Sequence, residues 1–359
     1  MLELRNLSKK VGSSIHINDV SLMLEKGSLN VLLGATLSGK TSLMRLMAGL
    51  DKPTSGEILM NGVSVLRTPV QQRNIAMVYQ QFINYPAFSV YENIASPMRV
   101  AGVDKKTIDI KVREAADLMK LTPYLDRGVL NLSGGQQQRT ALARALVKGA
   151  ELVLLDEPLA NLDYKLREEL RVELPKIFAE TGAIFIYATT EPQEALLLGG
   201  RTVTLHKGCV TQFGHTIDVY NNPSNLDTAQ TFSDPPMNVI SMRKQADQFV
   251  FSQGLVDCPK QLLGLADGPY SIGIRPHHLM LKESKSASLK IEAPVSSTEI
   301  SGSETFIHLL QGDLKLVVLT HGVHRVAIGD QIPIYIDPSK FFIFDQRDAL
   351  VSAPSVGVA

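Results

Sequence analysis

The sequence predicts an α/β domain over residues 1–235 followed by a smaller all-β domain over 236–359. Three observations predict it. Apolar, strand-like runs alternate with segments of helical periodicity through the first part of the chain. A stretch rich in Asn, Ser, Asp and Pro, NNPSNLDTAQTFSDPPMN, then breaks that alternation and reads as a turn-dense connector. Beyond it lie short strand-like runs, FVFS, YSIGIRP, LKLVVLT and DQIPIYID, separated by glycine and aspartate turns. Strands that short and that closely spaced need closure into a barrel to hide their edges.

Taken in order, SLNVLLGATLSGKTSLMRLMAG gives a buried strand, a glycine-bounded loop and a helix with Leu43, Leu46, Met47 and Leu50 on one face. Residues 103–121, VDKKTIDIKVREAADLMKL, place apolar side chains every three or four positions and predict an amphipathic helix. A second helix is expected after NLSGG, because QQQRTALARALVK is made of strong helix formers without a breaker. ELVLLDEP returns to a buried strand, and YKLREELRVELPKIFAE is helical again. Pro175 inside that helix removes one backbone donor and is expected to bend it or end its regular part. AIFI then forms a last fully buried strand, leading into YATTEPQEA.

The chain has 359 residues, enough for two or three domains. Lys plus Arg and Asp plus Glu are each 36, and this neutral balance argues against nucleic acid as a partner. The two cysteines, Cys209 and Cys258, are far apart without metal-ligand spacing, as in a reducing compartment. The polar start, MLELRNLSKKVGSS, has no signal-peptide core, and no apolar run approaches the roughly 18 residues that span a bilayer. Any membrane contact is expected to be peripheral and made through another protein.

Two motifs carry chemistry on their own terms. Gly34-Ala35-Thr36-Leu37-Ser38-Gly39-Lys40-Thr41 follows a strand and opens a helix, the context that G-x-x-x-x-G-K-[ST] requires. Its glycines let backbone N–H groups turn toward phosphates, helped by the helix N-terminus, with Ser42 in the same first turn. Lys40 is then expected at the β- and γ-phosphates of ATP and Thr41 on Mg²⁺. LVLL leads into Asp156-Glu157 at a strand's C-terminal end, where open α/β sheets bind ligands. Asp156 suits the Mg²⁺ surroundings and Glu157 a general base for an attacking water.

A third motif points to a family. Leu132-Ser133-Gly134-Gly135-Gln136, ahead of a helix, resembles the signature of ATP-binding-cassette (ABC) ATPases. Gln80 in MVYQQF fits that family's Q-loop, a metal and catalytic position, and Asn161-Leu162-Asp163 its D-loop. The tail resembles the regulatory β-domain of importer ATPases for maltose, glycerol phosphate and related carbohydrates, through GIRPHHL, EISGSETFIHL and DPSKFFIFD in that order. The resemblance covers nearly the whole chain. It implies a P-loop NTPase fold, a RecA-like core with a helical subdomain at about 85–150, followed by an OB- or TOBE-like barrel. It also implies ATP-driven import of a carbohydrate or polyol at the cytoplasmic side of the inner membrane. Implied partners are two permease subunits, a second ABC ATPase and, indirectly, a periplasmic solute-binding protein. Ser133 and the amides of Gly134 and Gly135, with Gln136, would meet the γ-phosphate held by the opposite ATPase. Gln80 and the loop FINYPAFSVYEN after it would face the permease; the aromatics Phe82, Tyr85, Phe88 and Tyr91 either belong to that surface or pack under the helical subdomain.

The chain departs from that family at three places. Thr190-Glu191-Pro192 stands where a histidine, Asp and Gln usually follow the strand. Threonine donates one hydrogen bond but carries no charge; losing a charge-assisted bond to phosphate costs about 1.5–3 kcal/mol, on the order of tenfold to a hundredfold in rate. Val11, in SKKVG, replaces an aromatic that stacks on adenine, a contact worth about 1–3 kcal/mol by analogy with single-strand binding. His16 is the candidate substitute. Leu37 replaces a glycine of the phosphate loop. All three departures fall on the half of the site that includes Lys40, whereas LSGGQ is intact. Two accounts remain open: a weakly active chain relying on Glu157, or pairing with a second, unlike ATPase, as in glycerol importers.

Overall fold

The structure is a computed structural model that describes residues 1–252, 254–284 and 289–354. It forms two compact units, Met1–Thr216 and Ile217–Ala359. The join therefore precedes the expected one at 235. The connector is not a plain linker: Leu226–Thr231 is a helix capped by Asn225, and Ala229 and Met237 pack with Phe342 and Phe344 of the second unit.

In the first unit, β1 (Leu2–Val11), β2 (Ser14–Leu24), β3 (Leu29–Leu33), α1 (Lys40–Ala48), β4 (Ser55–Met60), β5 (Val63–Ser64) and β6 (Ile75–Val78) come first. The helices α2 (Val90–Val100), α3 (Lys105–Leu118) and α4 (Gly134–Val147) follow. The unit closes with β7 (Leu152–Asp156), α5 (Tyr164–Thr181), β8 (Ile184–Thr189), α6 (Pro192–Leu198), β9 (Arg201–His206) and β10 (Cys209–His215). One sheet has the order β2-β1-β4-β5 and is antiparallel. The other has the order β10-β9-β3-β8-β7-β6, parallel from β9 to β6 with β10 antiparallel at the edge.

β7 and β8 are buried at every residue, which is why they read as continuous apolar runs rather than alternating ones. On α1, Leu43, Leu46 and Met47 lie in the core between the two sheets, each worth about 1.5–3 kcal/mol of burial. Leu50 falls outside that face: the helix stops at Gly49, whose left-handed conformation ends it, and Leu50 is exposed. Side-chain caps start α2 (Ser89), α3 (Asp104) and α5 (Asp163). α5 runs on through Pro175 to Thr181 rather than ending there.

The second unit is antiparallel throughout its strands. One sheet is ordered Gly254–Asp257, Gln248–Phe251, Asn238–Gln245, Gly268–Ile274, Phe342–Phe344, Leu350–Ser352. The other is ordered Leu279–Met280, Gln331–Ile336, Leu289–Ile300, Glu304–Gln311, Leu314–His321. The two sheets share one apolar core that includes Ile272, Ile274, Ile307, Val318 and Ile334, the arrangement of a small barrel.

Candidate functional site

The loop between β3 and α1 needs glycine at both ends. A Cβ at Gly34 would stand 2.5 Å from Ser38 Oγ and 2.6 Å from the Leu205 carbonyl. Gly39 has φ 109, and a Cβ there would lie 2.9 Å from the His16 carbonyl. Leu37 adopts the same left-handed region without being glycine, with φ 67, and its side chain is 96% exposed. An L-residue held there costs about 1–2 kcal/mol. Ala35 and Thr36 are exposed beside it. Ser38 Oγ is buried with no hydrogen-bond partner among the described residues, and Lys40 Nζ donates to the carbonyls of Gly34, 2.7 Å, and Ala35, 3.1 Å. Burial lowers the Lys40 pKa, opposed by the nearby Glu157 and Asp156. A cation folded back on its own loop and an orphaned hydroxyl suit an incoming anion.

Asp156 ends β7 and Glu157 follows it. Thr41 Oγ1 donates to Asp156 Oδ2 at 2.8 Å; burial pushes the Asp156 carboxyl up, while the Thr41 hydroxyl and Lys40 hold it down. Gln80 Nε2, just past β6, donates to Glu157 Oε2 at 2.8 Å. The Glu157 pKa is raised, mainly by burial, with Lys40 opposing and Asp156, Glu194 and Glu191 adding to it. Among the described residues no group of three or more His, Cys, Asp or Glu could hold a metal alone. A hard cation at Thr41 and Asp156 would therefore complete its oxygen shell from water or phosphate, as Mg²⁺ does.

Thr36, Leu37, Gly39, Lys40, Thr41, Ser42, Gln80, Glu157 and Thr190 line a single cavity of about 690 Å³. Thr190 stands exposed on its wall, one residue past β8. Val11 is not among the lining residues and is 51% exposed; that wall is made by Ser14, Ile15 and His16. The His16 ring nitrogen Nδ1 is 3.5 Å from Ser42 Oγ. Lys207 and Gly208, the turn between β9 and β10 with φ 47 and φ 80, complete the lining; Lys-Gly lacks the Asn or Asp that marks such a hairpin turn in sequence.

Ser133, Gly134, Gly135 and Gln136 do not line that cavity. They open α4 through a reciprocal cap: Gln136 N donates to Ser133 Oγ at 3.3 Å, and Ser133 N to Gln136 Oε1 at 2.9 Å. The Ser133 oxygen accepts in this cap, so its hydroxyl proton stays available to a ligand. Gln138, in the same helix, is buried, and its Nε2 donates to the Pro158 carbonyl at 2.8 Å. It ties the capped helix to the loop after Glu157, a contact that no local pattern in QQQ announces.

Comparison with known proteins agrees with this arrangement. The ABC transporter family model matches residues 17–160 and the TOBE domain model residues 272–344. The chain is 35% identical to the trehalose/maltose import ATP-binding protein of Thermococcus litoralis, over 94% of this chain and 95% of that one. It is 35% identical to the sn-glycerol-3-phosphate import ATP-binding protein of Ruegeria pomeroyi, over 92% and 93%. Among solved structures, the dimeric post-hydrolysis state of an ATP-binding cassette bound to ADP and Pi is 27% identical, with a TM-score of 0.56 over 60% of this chain and 99% of that one.

Proposed function

This chain belongs to the ABC transporter family as an import ATPase of the carbohydrate-uptake type, and from that premise we propose that it energises uptake of a polyol, glycerol by preference, beside a second, non-identical cassette. The reading rests above all on one observation. Lys40, Thr41, Gln80, Glu157 and Thr190 line one cavity at the ends of the parallel strands, and the wall position expected to be histidine is Thr190.

The nucleotide's phosphates lie against the Gly34–Thr41 loop, where Lys40 exchanges its contacts with the loop carbonyls for phosphate oxygen. Mg²⁺, when bound, neutralises charge on the phosphates. Thr41, Asp156 and Gln80 are the side chains placed to hold it. Glu157 accepts the proton of the attacking water; its raised pKa makes it the stronger base. Gln80 donates to the same carboxylate and so fixes its orientation. Thr190 offers one neutral donor where a cation would do more. Ser133 and the amides of Gly134 and Gly135 are the surface lent to the nucleotide of the opposite cassette.

The permease side is assigned to a groove of about 670 Å³ whose lining includes Arg73, Tyr85, Pro97, Val100, Arg144 and Lys148. Val100 is 91%, Ile83 62% and Tyr85 51% exposed, whereas Phe82 and Tyr91 are half-buried. Exposed apolar residues rimmed by Arg and Lys suit a partner's amphipathic helix. Among the described residues no helix is long and apolar enough to cross a membrane, and attachment is assigned to permease subunits at the cytoplasmic face.

Co-purification of the tagged chain from its native membrane tests the reading: a second cassette and permease subunits should be recovered, and Lys40→Ala should abolish uptake. Recovery of a fully active homodimer defeats the unlike pair. Thr190 also favours a second reading, a regulatory subunit that binds ATP with negligible turnover. Turnover of the purified chain no greater than that of Glu157→Gln would select it.

A further inference from the structure

We propose that Arg167 and Arg171 are positioning residues for hydrolysis, fastening the loop that carries Glu157 to the strand end that carries Thr190; the inference rests on Glu157 being the general base. Glu157 has φ 46, a left-handed conformation that a non-glycine residue keeps only where its surroundings over-determine it. Its backbone is held by three partners, one of them Gln138, whose Nε2 donates to the Glu157 carbonyl at 3.4 Å. Its N–H donates to the Ala188 carbonyl of β8 at 3.0 Å, and its carbonyl accepts from Ala160 N at 3.3 Å.

The side chains of α5 close this into a ring. Arg167 Nη2 donates to the carbonyls of Ala160, 3.2 Å, and Leu162, 3.3 Å, while its Nη1 lies 3.5 Å from Glu191 Oε1. The other Glu191 oxygen accepts from Arg171 Nη2 at 2.7 Å. Arg171 also donates to Glu168 at 2.6 Å and Glu194 at 3.2 Å. Glu194 Oε2 accepts from Thr189 Oγ1 at 2.6 Å and Tyr187 Oη at 3.2 Å. Thr189 Oγ1 in turn accepts from Glu191 N at 3.0 Å. Thr190 thus sits between two residues that are both locked, and the lock runs through Arg167 back to the loop after Glu157.

The exposed link of the ring sets geometry rather than stability. The Arg171 and Glu194 side chains are buried, at 9% and 6% exposure, and removing either alone would be strongly destabilising, so the variants leave both in place. Glu191 is 44% exposed and Arg167 25%, so their contact is worth little to folding.

The test uses the full chain purified without its transporter partners, so that only the Glu157 site turns over, with Arg167→Ala, Glu191→Gln and the double variant, measuring kcat, KM, ATP affinity and Tm. Each single change should lower kcat about tenfold, since misplacement on the order of 1 Å costs up to about a hundredfold, with ATP affinity and Tm unchanged. The double variant should be no slower than the slower single one, and Glu191→Asp, which restores the carboxylate, should recover turnover. Unchanged kcat in both singles, multiplicative losses in the double, or losses that follow Tm would each overturn the proposal. Glu157→Gln separates the two layers: if it abolishes turnover while Arg167→Ala is fully active, the ring alone is refuted, and if it leaves turnover intact, the base assignment falls with it.

Discussion

Replacing Leu37 by glycine should stabilise this protein, against the usual expectation for deleting a large apolar side chain. The side chain is 96% exposed, so its removal forfeits almost no burial. The backbone is at φ 67, where an L-residue costs about 1–2 kcal/mol. Glycine's greater freedom in the unfolded chain returns about 0.5–1 kcal/mol of that, leaving a net gain of roughly 0.5–1 kcal/mol. For a unit of this size that is a rise in Tm of about 1–4 °C. Leu37→Ala is the control, because a Cβ retains the penalty: it should stay within about 0.5 kcal/mol of the parent. Scanning calorimetry without nucleotide reads both. A lower Tm for Leu37→Gly, or equal gains for glycine and alanine, would refute strain as the reason and point to a contact made by the leucine itself.

Thr190→His should raise single-turnover ATP hydrolysis by about tenfold to a hundredfold, because the position is exposed on the cavity wall and accepts a ring; an unchanged rate would show that the wall is not limiting. Val100→Arg, on the groove assigned to the permease, should reduce recovery of the permease with the tagged chain while leaving hydrolysis by the isolated chain unchanged. Full recovery would move the docking surface elsewhere.

How far the sequence reached depends on where each determinant lies. The strand, loop and helix around Lys40 are legible because strand, glycines, lysine and helix occupy consecutive residues, and the Ser133 cap likewise closes within four. The contacts that assemble the cavity are not: Gln80 and Glu157 are 77 residues apart, and only the order of parallel strands brings β6 beside β7. Val11 enters only by resemblance and does not line the cavity, whereas Ser14, Ile15, His16 and the Lys207-Gly208 turn do. The helix Leu226–Thr231 was hidden for the opposite reason. Its flanking Asn, Pro and Asp carry strong local turn signals, and what holds its six residues is Asn225 and packing onto Phe342 and Phe344, information absent from any local window. Of the two effects expected of Pro175, ending the helix does not occur: removing one donor from a helix of 18 residues leaves it running to Thr181.

An unlike pair has a physical rationale in how the two functional surfaces are built. The surface around Lys40 depends on many separate groups, and its departures, Leu37 and Thr190, leave the opposite surface untouched. That surface is set by a reciprocal cap within α4, which no change at Thr190 can loosen. The Gln138 side chain ties the two surfaces, donating to the Glu157 and Pro158 carbonyls, and so joins the cap to the Glu157 loop and not to the Thr190 wall. Under the proposed reading a partner cassette with a charged wall would therefore meet an undamaged face on this chain and hydrolyse at full rate. The site around Lys40 would keep its nucleotide longer, because a neutral donor at Thr190 slows only the chemical step and leaves the phosphate loop free to bind. The asymmetry then resides in turnover and not in affinity, and a pair whose two sites bind ATP alike but empty at different rates is its direct consequence.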